Sequence, residues 1–353
     1  MVYNHTMKKI FITGGLGYLG SQLAKEALEN GFSVCLYDSL IYEQDYKKIL
    51  KEIESTKKPK SQLQYIIGDT RNIELLKKSL QDFKPDFLFH FAELSSVWSC
   101  NHNPRFTKDI NYEASKKVVD LAEKLKIPII YNSTSSLYGN QKEMKLMNER
   151  AHLPEPTDNY CKYKLEMEKY IKERKKKNPK FKILMLRPAT VCGVAPRMRI
   201  ELLPNHFTYC AMAKGLIRIS ELNAYRATID IRDMTSTYFA IMNKKTWLKL
   251  IYNVGHHNLS KAQFGKIIQS VIKCKISHMG DFGDLRNLQI TSKAFEKDFG
   301  WKPKYSFETS IKTLKKWLNL NLVEIEKNNF AGILNMSLDL WTKLTRQEPG
   351  PLK

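Results

Sequence analysis

The chain has 353 residues, of which 42% are hydrophobic and 27% charged, and its 58 lysines and arginines outnumber 36 aspartates and glutamates for a formal net charge of +22. That length fits about two domains and that composition is ordinary for a folded protein, which excludes wholesale disorder. No apolar run approaches the ~18 residues of a membrane-spanning helix, and MVYNHTMKKI lacks the apolar core and cleavage site of a secretory signal, so a cytosolic address is expected, with Met7 a candidate start after a frayed Met1–Thr6 leader.

In chain order, Lys9–Thr13 reads as a strand running into glycines, and Leu16–Asn30 as a helix stopped by Gly31. Ser33–Tyr37 is the next strand, followed by a lysine-rich helix through about Ser55. Gln64–Ile67, Phe87–Phe91, Ile127–Asn132 and Lys182–Leu186 repeat the pattern, each after a helix-length stretch. Short apolar runs without a polar alternate suit strands covered on both faces, and their alternation with helices predicts an α/β, doubly wound parallel sheet. After about Pro188 the rhythm breaks into a smaller α+β region, with short segments at Ile217–Ile219 and Thr228–Ile231 and a strand at Leu250–Val254 expected to return to the main sheet. Phe307–Leu320 reads as an amphipathic helix, and the tail from Leu322 carries one more apolar-periodic stretch, Phe330–Leu344. The expected organisation is a doubly wound unit over 7–188 with a returning segment near 226–260, a discontinuous second region over 189–320, and an extension over 321–353 without an assigned role.

The basic excess is mostly lysine, densest at Lys169–Lys182, where eight basic residues face one acid, Glu173. Such a run suits nucleic acid, a phosphorylated substrate or a solvated helix end. Six cysteines (Cys35, Cys100, Cys161, Cys192, Cys210, Cys274) stand far apart without a C-x-x-C, which argues against a disulfide framework and against a zinc site. No metal is expected.

Thr13-Gly14-Gly15-Leu16-Gly17-Tyr18-Leu19-Gly20 lies where the first strand gives way to the first helix. Glycines at 14, 17 and 20 permit a tight turn, a close backbone approach to a pyrophosphate, and helix–strand packing. The helix start adds free N–H groups and a positive dipole end. A glycine pattern alone is weak evidence; here the strand, the helix and an acid at the end of strand two all match. That acid, Asp38, can accept from both ribose hydroxyls and repel a 2′-phosphate, and no arginine follows it in Ser39–Glu43, which favours NAD over NADP. Asp69, after the third strand, is placed to reach the adenine.

Tyr160 and Lys164 stand at i and i+4 on a helix expected to open near Thr157. A phenol is protonated at neutral pH, with an ordinary pKa near ~10; an ammonium one turn away favours the phenolate and lets it take a proton from a substrate hydroxyl. The pair follows Ser133-Thr134-Ser135-Ser136 at a strand end, the edge where α/β sheets hold ligands.

These residues together resemble the extended short-chain dehydrogenase/reductase family, and within it the NAD-dependent nucleotide-sugar epimerase/dehydratase branch typified by UDP-glucose 4-epimerase. The resemblance spans roughly Lys8 to Leu318 and includes Thr13–Gly20, Asp38, Gly68-Asp69, His90–Ala92, Asn111, Ser133–Gly139, Tyr160/Lys164 and Arg187-Pro188 leading to Gly193. It continues through Arg226 and Asp233, Tyr252–Gly255, and Lys293 before Phe299–Pro303. It implies a Rossmann-type domain that binds NAD, a smaller C-terminal substrate-binding region, and a nucleotide-diphosphate sugar as substrate.

Within that resemblance, Tyr160 is the acid/base, Lys164 holds the nicotinamide ribose while tuning Tyr160, and Thr134 bonds the reacting C4 hydroxyl. The cofactor site implied also takes in Gly14, Gly17, Tyr18, Leu19 and Gly20 at the cradle, with Asp38, Asp69 and Thr70 toward the adenosine. Phe91, Ala92 and Glu93 lie near its phosphates with Asn111 supporting that loop, and Ser133 and Pro188 complete it. Ser96, Thr134, Ser135, Thr190, Asn205, Arg226 and Arg286 fall where relatives meet the substrate, and Arg197 and Arg199 add two cations there; an arginine fork suits a diphosphate. Sugar dehydratases carry an acid two positions beyond the threonine; here that position is Ser136, which moves the reading toward 4-epimerisation, although Glu93 sits within a dehydratase-like A-E-S pattern. Cys192 replaces a frequent tyrosine. The expected protein is thus an NAD-dependent nucleotide-sugar epimerase in polysaccharide or glycan precursor synthesis. The alternatives are a one-way C4 dehydrogenase/reductase or a dehydratase of the same family, and a non-catalytic RNA-binding member of the fold; nucleic acid and membrane are not the expected partners. Relatives dimerise through two helices that correspond to Arg105–Lys124 and Thr157–Lys176, so a homodimer is expected.

Overall fold

Lys9–Thr13 forms the first strand, β1, because an unbroken apolar run can be buried on both faces, and Ile10, Phe11 and Ile12 are fully buried. A computed structural model describes residues 8–42, 45–141, 145–281 and 286–327; Met1–Thr6 and Phe330–Leu344 lie outside the described residues. After β1 come α1 (Tyr18–Glu29), β2 (Ser33–Asp38), α2 (Tyr46–Glu54), β3 (Leu63–Ile67), α3 (Ile73–Phe83) and β4 (Phe87–His90). The chain continues through α4 (Val97–His102), α5 (Pro104–Lys108), a π-helical turn at Asp109–Ala114, α6 (Ser115–Lys124), β5 (Ile129–Asn132) and a 3₁₀ turn at Ser135–Tyr138. Next are β6 (Leu146–Met147), α7 (Asn159–Lys177), β7 (Ile183–Pro188), β8 (Thr190–Cys192), α8 (Leu203–Lys214), β9 (Leu216–Ile219), β10 (Tyr225–Asp230) and α9 (Ile231–Met242). The last elements are β11 (Ile251–Val254), β12 (His257–Ser260), α10 (Lys261–Val271), β13 (Lys275–His278), β14 (Gln289–Ile290), α11 (Lys293–Phe299) and α12 (Phe307–Lys327).

Seven strands pair in the order β11-β7-β5-β4-β1-β2-β3, all parallel, in a doubly wound sheet. The order reverses between β1 and β4, where Thr13 pairs with His90, and that switch point opens a crevice at the carboxyl ends of the strands. As the sequence predicts, the segment near Leu250–Val254 returns to this sheet, at its edge beside β7. The remaining strands form three small sheets, β12-β10-β8, β13-β9 and β14-β6. One apolar cluster runs from Ile10 and Leu36 through Ile229 and Tyr238 to Phe264 and Leu318, so the small sheets share a core with the large one. Among the described residues no helix is long and apolar enough to cross a membrane.

Local chemistry moves several element ends. The helix expected from Leu16 starts at Tyr18 because Gly14–Gly17 close a turn first, with the Gly17 N–H donating to the Gly14 carbonyl at 3.0 Å. The helix expected from Thr157 starts at Asn159 because the Asp158 carboxylate caps it, accepting from the Cys161 N–H at 2.8 Å. Strand four stops at His90; Phe91 still donates its N–H to the Thr13 carbonyl, after which the chain turns over the crevice.

Candidate active site

A cleft of about 460 Å³ lies at this switch point, floored by the glycine turn and roofed by the segments after β7. On the floor, Gly14 has φ +68° and donates its N–H to the Tyr37 carbonyl at 2.8 Å. A Cβ on Gly14 would meet the Ala92 nitrogen at 2.7 Å, and one on Gly20 would collide with the Gly14 carbonyl oxygen. Gly17, at the helix N-cap, offers no side chain to cap α1, so the N–H groups of that first turn face the cleft as an anion site. Asp38 accepts from the Leu16 and Leu40 N–H groups, both at 2.9 Å, and keeps lone pairs for further donors. Its burial raises its pKa, an effect the two backbone donors and nearby Arg197 oppose. A cradle without Cβ atoms, a free helix start and an acceptor at the end of β2 fit a dinucleotide.

At the other end of the cleft, α7 presents Tyr160 and Lys164 one turn apart, with Lys164 Nζ 6.0 Å from the Tyr160 ring centre. The Thr134 side chain faces Tyr160 across the cleft and accepts the Ser136 N–H at 3.1 Å. Burial raises the Tyr160 pKa, an effect the neighbouring Thr134 side chain opposes. Lys164 Nζ donates to the Asn132 carbonyl and to the Glu93 carboxylate. Beneath them, Glu168 receives Arg187 through two bonds, 2.8 and 2.6 Å, and the Ser133 hydroxyl at 2.6 Å, with all three side chains buried. This network ties β5, α7 and β7 into one rigid support for Thr134 and Tyr160, the arrangement a positioned proton donor–acceptor requires.

The roof is made of side chains. Arg199 donates to Ser95 Oγ at 2.8 Å and to Glu201 at 2.7 Å. Arg286 reaches Ser136 Oγ at 3.2 Å, and Arg226, 6% exposed, lines the same wall with Thr190. Arg197 differs from these. It is 7% exposed, stands 5.2 Å over the Tyr42 ring and faces Asp38, yet its guanidinium hydrogen-bonds no described residue. Its backbone N–H donates to Ser21 Oγ on α1 at 3.2 Å, so the loop carrying it lies across the glycine end of the cleft.

Of the residues singled out in the sequence, two do not line the cleft. Asn111 sits behind it, exchanging 2.8 Å bonds with the Leu94 N–H and carbonyl. Asn205 spends its amide on the Gly193 N–H, the Tyr18 hydroxyl and the Arg199 carbonyl. The others, from Gly14, Gly17, Tyr18, Leu19 and Gly20 to Thr190, Arg226 and Arg286, share the one cleft. Within it the Ser133 hydroxyl is turned to Glu168, Asp69 is paired with Arg71 at 2.7 Å, and Glu93 lies on Lys164. The sequence reading missed Tyr42, Ser95, Trp98 and Glu201, which the fold brings in from loops and from α4 without a motif. A large aromatic at Tyr42 and an acid two residues beyond Arg199 were the available signal.

A model of the NAD dependent epimerase/dehydratase family matches residues 10–255. The bifunctional UDP-glucose 4-epimerase and UDP-xylose 4-epimerase 1 of Pisum sativum is 24% identical over 346 residues, covering 89% of this chain and 96% of that protein. A UDP-glucose 4-epimerase from Bifidobacterium longum, solved with NAD+ and UDP, superposes with a TM-score of 0.78 at 20% identity over 89% of this chain and 99% of that one. The dTDP-glucose 4,6-dehydratase of Bacillus anthracis, solved with NAD, gives 0.76 at 19% identity over 89% and 97%. At these identities the superpositions establish the fold, which epimerase and dehydratase share.

Proposed function

The chain belongs to the NAD dependent epimerase/dehydratase family, and from that premise we propose that it is an NAD-dependent nucleotide-sugar epimerase acting at C4 through a transient 4-keto sugar, in polysaccharide or glycan precursor synthesis. The observation that carries epimerase over dehydratase is Ser136, a hydroxyl held by Arg286 where elimination needs a carboxylate. Glu93, the other carboxylate near the centre, is committed to Lys164 and to Ser115.

Bound NAD supplies hydride acceptor and donor chemistry at the sugar carbon. The glycine turn and α1 take the cofactor diphosphate, Asp38 its adenosine ribose, and Arg197 an adjacent phosphate oxygen. Thr134 orients the C4 hydroxyl, and Tyr160 takes its proton and later returns it. Lys164 holds a ribose hydroxyl and favours the phenolate. Arg199, Arg226 and Arg286, with Ser96, Ser135 and Thr190, take the nucleotide diphosphate and the sugar. In this reading residues 7–188 with the segment near 226–260 form the cofactor unit and 189–320 the substrate region. The enzyme works in the cytoplasm as a homodimer through the segments Arg105–Lys124 and Thr157–Lys176.

The test is mass spectrometry of ligands released from purified protein, then an epimerisation screen over UDP-, GDP-, CDP- and dTDP-sugars without added NAD. Turnover without added cofactor is expected; a requirement for stoichiometric NAD would identify a one-way oxidoreductase. Tyr160→Phe should lower turnover by about 10²-fold or more with NAD still bound, and near-normal turnover would remove the acid/base assignment.

A further inference from the structure

Glu93 is anchored at every polar atom. Its side chain is 3% exposed, Oε2 receives Lys164 Nζ, and Oε1 accepts the Ser115 hydroxyl at 2.9 Å. Ser115 is in turn 2.9 Å from His90 Nε2, whose Nδ1 is 2.7 Å from Thr13 Oγ1. Thr13, His90 and Ser115 are all buried, and burial lowers the His90 pKa to about 4, so this chain of bonds is neutral up to Glu93. It ends at Thr13 on β1, which is fully buried, and therefore holds the carboxylate in place.

The groups around Tyr160 make that carboxylate consequential. Lys164 and Cys161 face it from its own helix, Glu93 from the loop after β4, Cys100 from α4, Tyr131 from β5 and Arg199 from the roof. Burial pushes Cys100 up to about 12 and raises Cys161 and Tyr131 as well, so these three stay neutral over the working range. Glu93 is then the one anion among these groups, set against two cations. An epimerase uses its phenol twice, as a base in the forward half-reaction and as an acid in the return. An unopposed ammonium would favour the first and penalise the second.

We propose that Glu93 is a positioning residue that fixes the Lys164 ammonium and offsets its field on Tyr160, keeping the phenol able both to take and to return the proton. This rests on the epimerase reading for its purpose, though not for its electrostatics.

The test compares wild type, Glu93→Asp and Glu93→Gln by tyrosinate absorbance during pH titration, each corrected by the matching Tyr160→Phe variant, alongside pH profiles of turnover. The Tyr160 midpoints should fall in the order wild type, E93D, E93Q, with E93Q about one pH unit below wild type, and both limbs of the turnover profile should move down with them. If E93Q does not fold, the first two members of that order still decide. Equal midpoints, or the reverse order, overturn the proposal. The titration needs neither substrate nor turnover, so a chain that proved not to be an epimerase would still report whether Glu93 acts on Tyr160. A working epimerase with unmoved midpoints would defeat this inference alone.

Discussion

On the floor of the cleft, glycines 14, 17 and 20 leave ligand recognition to backbone N–H groups fixed by one turn and one helix. On the roof, Arg197, Arg199, Arg226 and Arg286 arrive from β10 and from loops after β8 and before β14, and act through their side chains. The floor is a local object: its working atoms lie within eight consecutive residues, and its geometry is set by where a Cβ cannot go. The roof is a long-range object, set by which cation the fold lowers onto which anion. A floor of this kind fails through backbone displacement and a roof through loss of single charges, and that difference can be measured.

The largest effect is expected on the floor, from Gly20→Ala. Helix propensity alone predicts a gain of about 1 kcal/mol for alanine within α1. Packing predicts the opposite, because the new Cβ would overlap the Gly14 carbonyl oxygen and stand 2.8 Å from Gly15 Cα. Opening that turn should cost about 1–3 kcal/mol of stability and tilt the N–H groups away from the cofactor. Calorimetry and the NAD content of purified protein should show a lower melting temperature and at least roughly 100-fold weaker NAD binding, about 2.7 kcal/mol. A more stable protein with NAD intact would mean that the turn is not a close-packed cradle.

The same contrast explains what the sequence made legible. The parallel sheet was readable because buried strands need unbroken apolar runs, and the glycine cradle because its constraint is local. Tyr160/Lys164 were readable because helical spacing is periodic. The surroundings of Arg197 were not legible: the family resemblance implied a substrate contact, and the loop after β8 crosses α1 and brings it to face Asp38, 159 positions earlier in the chain. Asn205 likewise faces inward, because Tyr18 and Gly193 offer it partners that no spacing rule shows. Side-chain destinations of this kind depend on how two segments meet, and neither segment encodes that alone.

Arg197→Met is the next largest test and is aimed at the roof. A largely buried guanidinium without a hydrogen-bond partner among the described residues keeps its donors for an arriving anion, and hydrogen bonds to charged groups contribute about 1.5–3 kcal/mol each. NAD affinity by titration calorimetry should fall about 10- to 100-fold, while affinity for the nucleoside diphosphate changes little. The reverse pattern would return Arg197 to the substrate side and erase the distinction drawn between its position and that of Arg199, which is already engaged by Ser95 and Glu201.

The smallest effect is expected at the seam where floor and roof meet, and it depends on pH. Glu26 on α1 accepts the Thr235 hydroxyl of α9 at 2.7 Å and the Gln22 amide at 2.7 Å. Burial raises its pKa from an ordinary 4.5 to about 7, against those two bonds. A carboxyl raised in the folded state contributes stability that is fully present below pH 4.5 and is lost as pH rises through about 7, because the unfolded chain ionises freely while the folded one resists. Glu26→Gln removes that titration and keeps an acceptor for Thr235. Relative to wild type, its stability should therefore be near equal or lower at pH 4.5 and higher by about 1–2 kcal/mol at pH 8, read from denaturant midpoints at both values. A difference that does not change with pH would show that water reaches the seam, and that α1 and α9 are joined less tightly than the floor and roof they carry.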